Sequence, residues 1–156
     1  MASADRDSFA LFGLEELNFD RVKVQFGGRV EHTKYRPKGK TSRTFDGASG
    51  GIGVRFRLTD ELAFVANYTE SYRAPSVEEL YNKGSHPGMG TYEIGNANLK
   101  RERSHSFDFS LRQSDEKMQS QANFFYYPIS DFIFLAPTGN KKEGLVEAIY
   151  SQGDVR

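Results

Sequence analysis

His32, His86 and His105 are the imidazoles of this chain. Imidazole nitrogen together with carboxylate oxygen is a donor set suited to zinc and related metals. His86 lies in a stretch that also holds Glu78, Glu79 and Glu93, which makes it the candidate for a metal or ligand contact. No fixed spacing joins the three histidines into a metal-site motif, and His32 falls near a strand end where it can simply mark an interface. The adjacent pair Glu78 and Glu79 suggests the acid and base of a glycosidase. Neighbouring helical residues point about 100° apart, however, and Glu79 has a capping role described below, so no catalytic residue is expected. Gly47, Gly50, Gly51 and Gly53 lack the following helix and the Lys-Ser or Lys-Thr pair of a phosphate loop, and read as strand glycines approached closely by another backbone. The basic run "KYRPKGKTSR", Lys34 to Arg43, can draw an anionic ligand or form a polar loop tip.

These residues depend on the elements that carry them. In "RVKVQFGGRVE", Val22, Val24, Phe26 and Val30 share one parity, and Arg21, Lys23, Gln25, Arg29 and Glu31 the other. A period of two held this long predicts a strand with one apolar and one polar face. The pattern recurs in "GIGVRFRL", "ELAFVANYTESY", "SFDFSLRQ" and "MQSQANFFYY", with a less regular opening strand in "SFALFGLEELNF". "DFIFLAP" extends the sixth strand beyond a kink at Pro128, and "LVEAIYS" begins a seventh. Short connections, around Asp20, Thr59 to Glu61 and Ser114 to Lys117, alternate with long ones, Thr33 to Ser49, Ser71 to Ser104 and Pro137 to Gly144.

Short turns on one rim and long loops on the other, joining strands of roughly ten residues with one apolar face, are the pattern of an outer-membrane β-barrel. The fold class expected is therefore all-β, an antiparallel up-and-down meander of six or seven strands with a short helix in one long loop. A soluble barrel or sandwich whose apolar parity faces a core is the alternative. Tyr35, Tyr68, Tyr72, Tyr126 and Tyr127 lie near strand ends, where either a lipid-interface girdle or cross-strand packing would place them.

Bulk composition is consistent with this. The 156 residues carry 21 basic and 21 acidic side chains, which gives no global reason to bind nucleic acid. Aromatics make up 13 %, as 13 Phe and 8 Tyr without Trp, concentrated where strands are expected. The absence of cysteine excludes disulfides and thiolate metal sites. No apolar run is long enough for a spanning helix, and the acidic start "MASADRD" does not match an export signal.

Inside the longest connection, "RAPSVEELYNKG" has a definite local logic. Proline keeps Ala74 extended, while Ser76 and Glu79 form a capping box with Pro75 and Leu80 at staple positions. A short helix should begin at Val77 and close before Gly84. "TYEI" is extended and "GNANL" turns again before "KRERS".

This run, "SYRAPSVEELYNKG" followed by "GTYEIGNANLKRERS", resembles the signature stretch of TonB-dependent outer-membrane receptors. In that family an R-A-P-S-x-x-E-L-Y segment precedes G-N-x-x-L-x-x-E-x-S, here matched by Arg73, Pro75, Ser76 and Glu79, then Gly95, Asn96 and Glu102. Weaker similarity to barrel strands covers "ALFGLEELNFDRVKVQFGGRVEH" and "ANFFYYPISDFIFL". The resemblance implies a 22-stranded barrel around a plug domain, in the outer membrane of a Gram-negative bacterium, for energised uptake of a metal ion or chelate such as zinc, haem or an iron siderophore. Residues 1–156 would then be a partial barrel domain, with plug, signal peptide, coupling region and closing strand lying outside it. Expected partners are outer-membrane lipid, the remaining strands and plug, and the TonB complex through an N-terminal region outside this chain; neither nucleic acid nor a cofactor is expected. His86, Tyr92 and Glu93 are the expected ligand contacts, with His86 also a metal ligand. The alternative function is a small soluble β-sheet module that binds its ligand with residues 71–104.

Overall fold

The computed structural model describes residues 4–156. In chain order its elements are β1 (Ala4–Asn18), β2 (Val22–Pro37), β3 (Arg43–Arg57), β4 (Leu62–Arg73), α1 (Val77–Tyr81), β5 (Lys83–His86), β6 (Thr91–Ile94), β7 (Glu102–Ser114), β8 (Gln119–Tyr126), β9 (Ile129–Lys142) and β10 (Leu145–Val155). The strands form one sheet in the order β1-β2-β3-β4-β7-β9-β10-β6-β5, with β8 also paired to β7. All pairings are antiparallel except that of β6 with β10.

Cross-strand register turns the sequence alternation into two surfaces. Val22, Phe56, Phe64, Leu111 and Ala122 are successive partners across five strands, as are Val24, Val54, Ala66, Phe109 and Phe124, and Phe26, Ile52, Tyr68, Phe107 and Tyr126. Antiparallel partners share a face, so these rows stack into one apolar band. It is exposed; Phe124, for example, is 64 % accessible. The opposite face carries Lys23, Arg55, Val65, Ser110 and Asn123, then Gln25, Gly53, Asn67, Asp108 and Phe125. β1 is less regular, presenting Phe9, Leu11 and Leu17 on one parity and Phe12 and Leu14 on the other, all exposed.

The short turns line up on one rim. Arg57 N–H donates to the Arg21 carbonyl at 2.8 Å and Ser114 N–H to the Glu61 carbonyl at 2.9 Å, so neighbouring turns are hydrogen-bonded to one another. On the other rim two of the three expected long loops are corrected to extended strands. β2 continues to Pro37 and β3 starts at Arg43, while β9 and β10 are joined by Glu143 and Gly144 alone. Both of those residues have positive φ, 53° and 77°, as a tight hairpin turn requires. β2 and β3 persist because their inner face is covered: Tyr35 and Phe45 are almost fully buried, under residues of the 74–101 connection. That connection is the long loop that remains.

β8 and β9 act as one strand broken at Tyr127 and Pro128. β8 pairs with Phe107–Ser114 and β9 with Arg103 and Ser104, while His105 N–H donates to the Pro128 carbonyl at 3.0 Å. The kink at Pro128 therefore stands as expected, since proline has no N–H to give the ladder. The strand that "LVEAIYS" begins is present as β10, which runs for 11 residues. His105 shares the apolar parity of Phe107, and stacks against Tyr68 with its Nδ1 2.9 Å from the tyrosine hydroxyl.

The tyrosines divide. Tyr68 and Tyr126 lie in the apolar rows, Tyr127 reaches Asp108 on the polar face, and Tyr35 and Tyr72 turn into the inner cluster with Phe45, Leu80, Tyr81, Leu99 and Ile133. Tyr35 and Tyr72 are thus not part of a girdle, because the loop offers them an apolar partner on the inside. Gly47 makes room for this, since a β-carbon there would fall inside the Tyr72 ring. Replacing Gly47 by valine should overpack this contact, cost about 1–3 kcal/mol and lower the midpoint of a tyrosine near-UV dichroism melt. Gly13→Ala, where a β-carbon meets nothing within 4 Å, should leave the melt unchanged.

Candidate functional site

The loop hangs from one arginine. Arg73 ends β4, and its Nε and Nη2 donate to Glu102 at 2.6 and 2.7 Å, while Nη1 and Nη2 donate to Glu79 at 3.0 and 3.1 Å. Guanidinium is the group for this task, because its planar fork serves two carboxylates bidentately. Glu79 also accepts from Ser76 N–H at 2.7 Å, and Ser76 Oγ accepts from Glu79 N–H at 3.2 Å, which completes the capping box of α1. Glu102 accepts from Ile133 N–H at 2.7 Å and so reaches β9. The motif residues Arg73, Ser76, Glu79 and Glu102 form one network. Pro75 and Leu80 are fully buried beside it.

The second half of the motif closes the helix. α1 ends at Tyr81, before Gly84 as expected, but its cap is Asn82; Gly84 lies in β5 without a left-handed φ. Gly95 and Asn96 supply the closure instead: Gly95 N–H donates to Asn82 O at 2.7 Å and Asn96 N–H to Glu79 O at 2.8 Å. A β-carbon on Gly95 would lie 2.6 Å from the amide nitrogens of Tyr81 and Asn82, so only glycine fits against the helix end. The Asn96 side chain donates to the Tyr150 carbonyl at 3.2 Å and accepts from Asn98 N–H at 3.0 Å, turning the chain so that Leu99 is buried.

Between these halves stand the hairpin β5–β6 and a single 3₁₀ turn, Pro87–Met89. His86 is half exposed at its tip, and its Nδ1 is 2.9 Å from Glu93 Oε1. Glu93 is 3 % exposed and accepts three further hydrogen bonds, from Thr91 Oγ1 at 3.2 Å, Asn82 Nδ2 at 3.2 Å and Tyr150 OH at 3.1 Å. Burial by itself would push the Glu93 carboxyl up, but the bonds from His86, Tyr150 and Thr91 outweigh it and hold it below the usual carboxylate range. Tyr92 is buried, with Lys142 Nζ 4.5 Å from its ring centroid. Of the three expected contacts, His86 is the exposed one, while Glu93 and Tyr92 are buried.

The basic run contributes to the frame. Lys40 Nζ donates to the Tyr81 carbonyl at 3.0 Å, Arg43 donates to the carbonyls of Leu99, at 2.9 Å, and Ala97, and Arg36 pairs with Asp7. Glu78 stands in the first turn of α1. His32 pairs with Asp46 at 2.7 Å on the outer face, and the three histidines stay apart in separate contacts. Tyr150 was not legible as a partner, because nothing in "LVEAIYS" signals a parallel pairing with residues some fifty positions earlier.

Arg73→Lys should not rescue Arg73→Ala, since an ammonium cannot bridge both carboxylates. Either change should cost about 1–2 kcal/mol, discounted for a half-exposed guanidinium, and speed tryptic cleavage at Lys83. Burial pushes the Glu102 carboxyl up, but Arg73 and the Ile133 amide hold it low. A carboxyl held low in the folded state stabilises above its unfolded pKa and loses that contribution as pH falls through the folded value. Loop protection from proteolysis should therefore be full near neutrality and fall below about pH 4, measured with an acid-tolerant protease.

Comparison with known proteins agrees with this frame. The model of the TonB-dependent receptor-like β-barrel family matches residues 1–156. The chain is 31 % identical over 129 residues to the heme/hemopexin utilization protein C of Haemophilus influenzae, covering 72 % of this chain and 18 % of that protein. It is 23 % identical over 156 residues to the TonB-dependent heme receptor A of Haemophilus ducreyi, covering 86 % and 21 %. The chain thus spans about a fifth of the length of these relatives. Among solved structures, the copper transporter OprC superposes with a TM-score of 0.78 at 18 % identity over 96 % of this chain and 24 % of its own. The hemophore receptor HasR of Serratia marcescens, in complex with HasA and heme, gives 0.77 at 16 % identity over 97 % and 30 %. The strand order, the Arg73 network and the full-length family match lead to one assignment: this chain belongs to the TonB-dependent receptor β-barrel family.

Proposed function

We propose that this chain is a section of barrel wall, with one ligand-facing loop, of an outer-membrane receptor that takes up haem iron in a Gram-negative bacterium. In this reading the exposed apolar rows face lipid, and the Lys23, Gln25, Arg55 and Asn67 face lines a wet lumen filled by the plug of the same receptor. Coupling to TonB belongs to parts of the receptor outside these residues, and the chain does not act as an enzyme.

The observation that carries the substrate is the half-exposed imidazole that His86 presents from the loop, with its Nδ1 already engaged by Glu93, whereas His32, equally exposed, sits on the outer face beside Asp46. A zinc ion held by protein alone needs three or four ligands. Among the described residues no group of three or more His, Cys, Asp or Glu side chains is placed to hold one. Ferric haem brings four nitrogens of its own and asks for one or two axial ligands, which one histidine can begin to supply. Relatives described as a heme/hemopexin utilization protein and as heme and hemin receptors support haem ahead of zinc or a siderophore.

Titrating haemin into the detergent-folded chain should produce a Soret shift. His86→Ala should weaken it at least about tenfold, the loss of an interaction of ~1.4 kcal/mol or more; equal binding by wild type and variant would refute the assignment of His86. Val54→Arg, in the middle of the apolar rows, should impair assembly into lipid vesicles by about 2–4 kcal/mol while leaving detergent-solubilised haem binding intact, read by heat-modifiable gel mobility.

A further inference from the structure

We infer that Glu93 is a positioning residue for His86, and that Tyr150 anchors it to strand β10, so that the ligand-holding ring is oriented from the barrel wall rather than by its own hairpin alone. The inference rests on the proposed role of His86 and adds the device that gives this imidazole a fixed direction.

Every oxygen of the Glu93 carboxylate is engaged. Oε1 receives His86 Nδ1 at 2.9 Å and Thr91 Oγ1 at 3.2 Å, and Oε2 receives Asn82 Nδ2 at 3.2 Å and Tyr150 OH at 3.1 Å. Its side chain is 4 % exposed, against 54 % for His86. A buried carboxylate with so many donors from its surroundings cannot swing out to meet a ligand; its remaining effect is on the ring beside it. As an acceptor it requires the proton of the neutral imidazole to sit on Nδ1, which leaves the Nε2 lone pair for an incoming iron. It also makes the ring a stronger electron donor, as carboxylates paired with metal-bound histidines do.

The anchoring comes from the pairing of β6 with β10. Val146, Glu147, Ala148 and Ile149 lie beside Thr91, Tyr92, Glu93 and Ile94 in parallel register. Glu93 is therefore opposite Ala148, and Tyr150, two residues on, projects its hydroxyl onto Oε2. Asn96 Nδ2 on the Tyr150 carbonyl, at 3.2 Å, fixes the same residue from its main chain. The direction of the His86 ring is thus tied to β10 through Glu93 and Tyr150. Donor strength and aim at a metal are properties of such outer partners, whose loss typically costs about 10–100-fold in metal affinity.

The test uses ferric haemin bound to the detergent-folded chain, with dissociation constant and haem reduction potential as readouts. Glu93→Gln keeps shape and one acceptor oxygen but removes the charge. It should weaken ferric haemin binding about 10–100-fold and raise the potential, because a weaker donor stabilises the ferric state less. Tyr150→Phe loosens the anchor but leaves the Glu93 charge, so it should weaken binding by less without raising the potential, and it keeps a phenyl ring in place should the glutamine variant fail to fold. Unchanged affinity and potential in the folded variants, with His86→Ala still weakening binding, would overturn the role of Glu93 while sparing that of His86. No effect of His86→Ala would instead remove the reading on which this one rests.

Discussion

One cation held between two carboxylates organises the functional half of this molecule. Arg73 leaves the sheet at the end of β4 and binds Glu79, which caps α1, and Glu102, which begins β7. The two ends of a connection of nearly thirty residues are thereby held at one point. Closing a loop of this length carries an entropic cost, which this charge-assisted network and the buried Leu80, Tyr81 and Leu99 offset. Because Glu102 also takes the Ile133 amide, the same point joins the loop to the strand across β7.

From that point the loop folds inward over the extended ends of the strands. Its helix covers Tyr35, Phe45 and Ile133 on the inner face, which is why those strands continue as paired sheet beyond the apolar rows. The outer surface remains an apolar band and the inner one polar, and the loop's apolar residues bridge neither. They make a separate core above both, and the hairpin bearing His86 projects from it. A half-exposed imidazole can then be held still, since everything behind it is packed or hydrogen-bonded.

Much of this was readable from residues alone. The capping box of Ser76 and Glu79 is legible in their spacing and is present on both sides. The Pro128 kink and the rim of short turns follow from proline chemistry and turn length. Gly95 and Asn96 stand out as a motif, but their task of closing α1 does not, because it depends on the loop returning to its own helix; Gly84 carries the local signal and lacks the role. Likewise Lys40 and Arg43 looked like a free basic tip, and only the approach of the Tyr81, Ala97 and Leu99 carbonyls turns them into clamps.

The alternation of side chains set which residues share a face, since a strand repeats every two residues whatever it packs against. Spacing within "RAPSVEEL" set the helix and its start, because capping is a contact three residues long. Tertiary structure alone decided how far the strands run, which tyrosines turn inward, and that Glu93 is buried under Tyr150. Each of those outcomes rests on partners distant in sequence, whose approach no local pattern encodes.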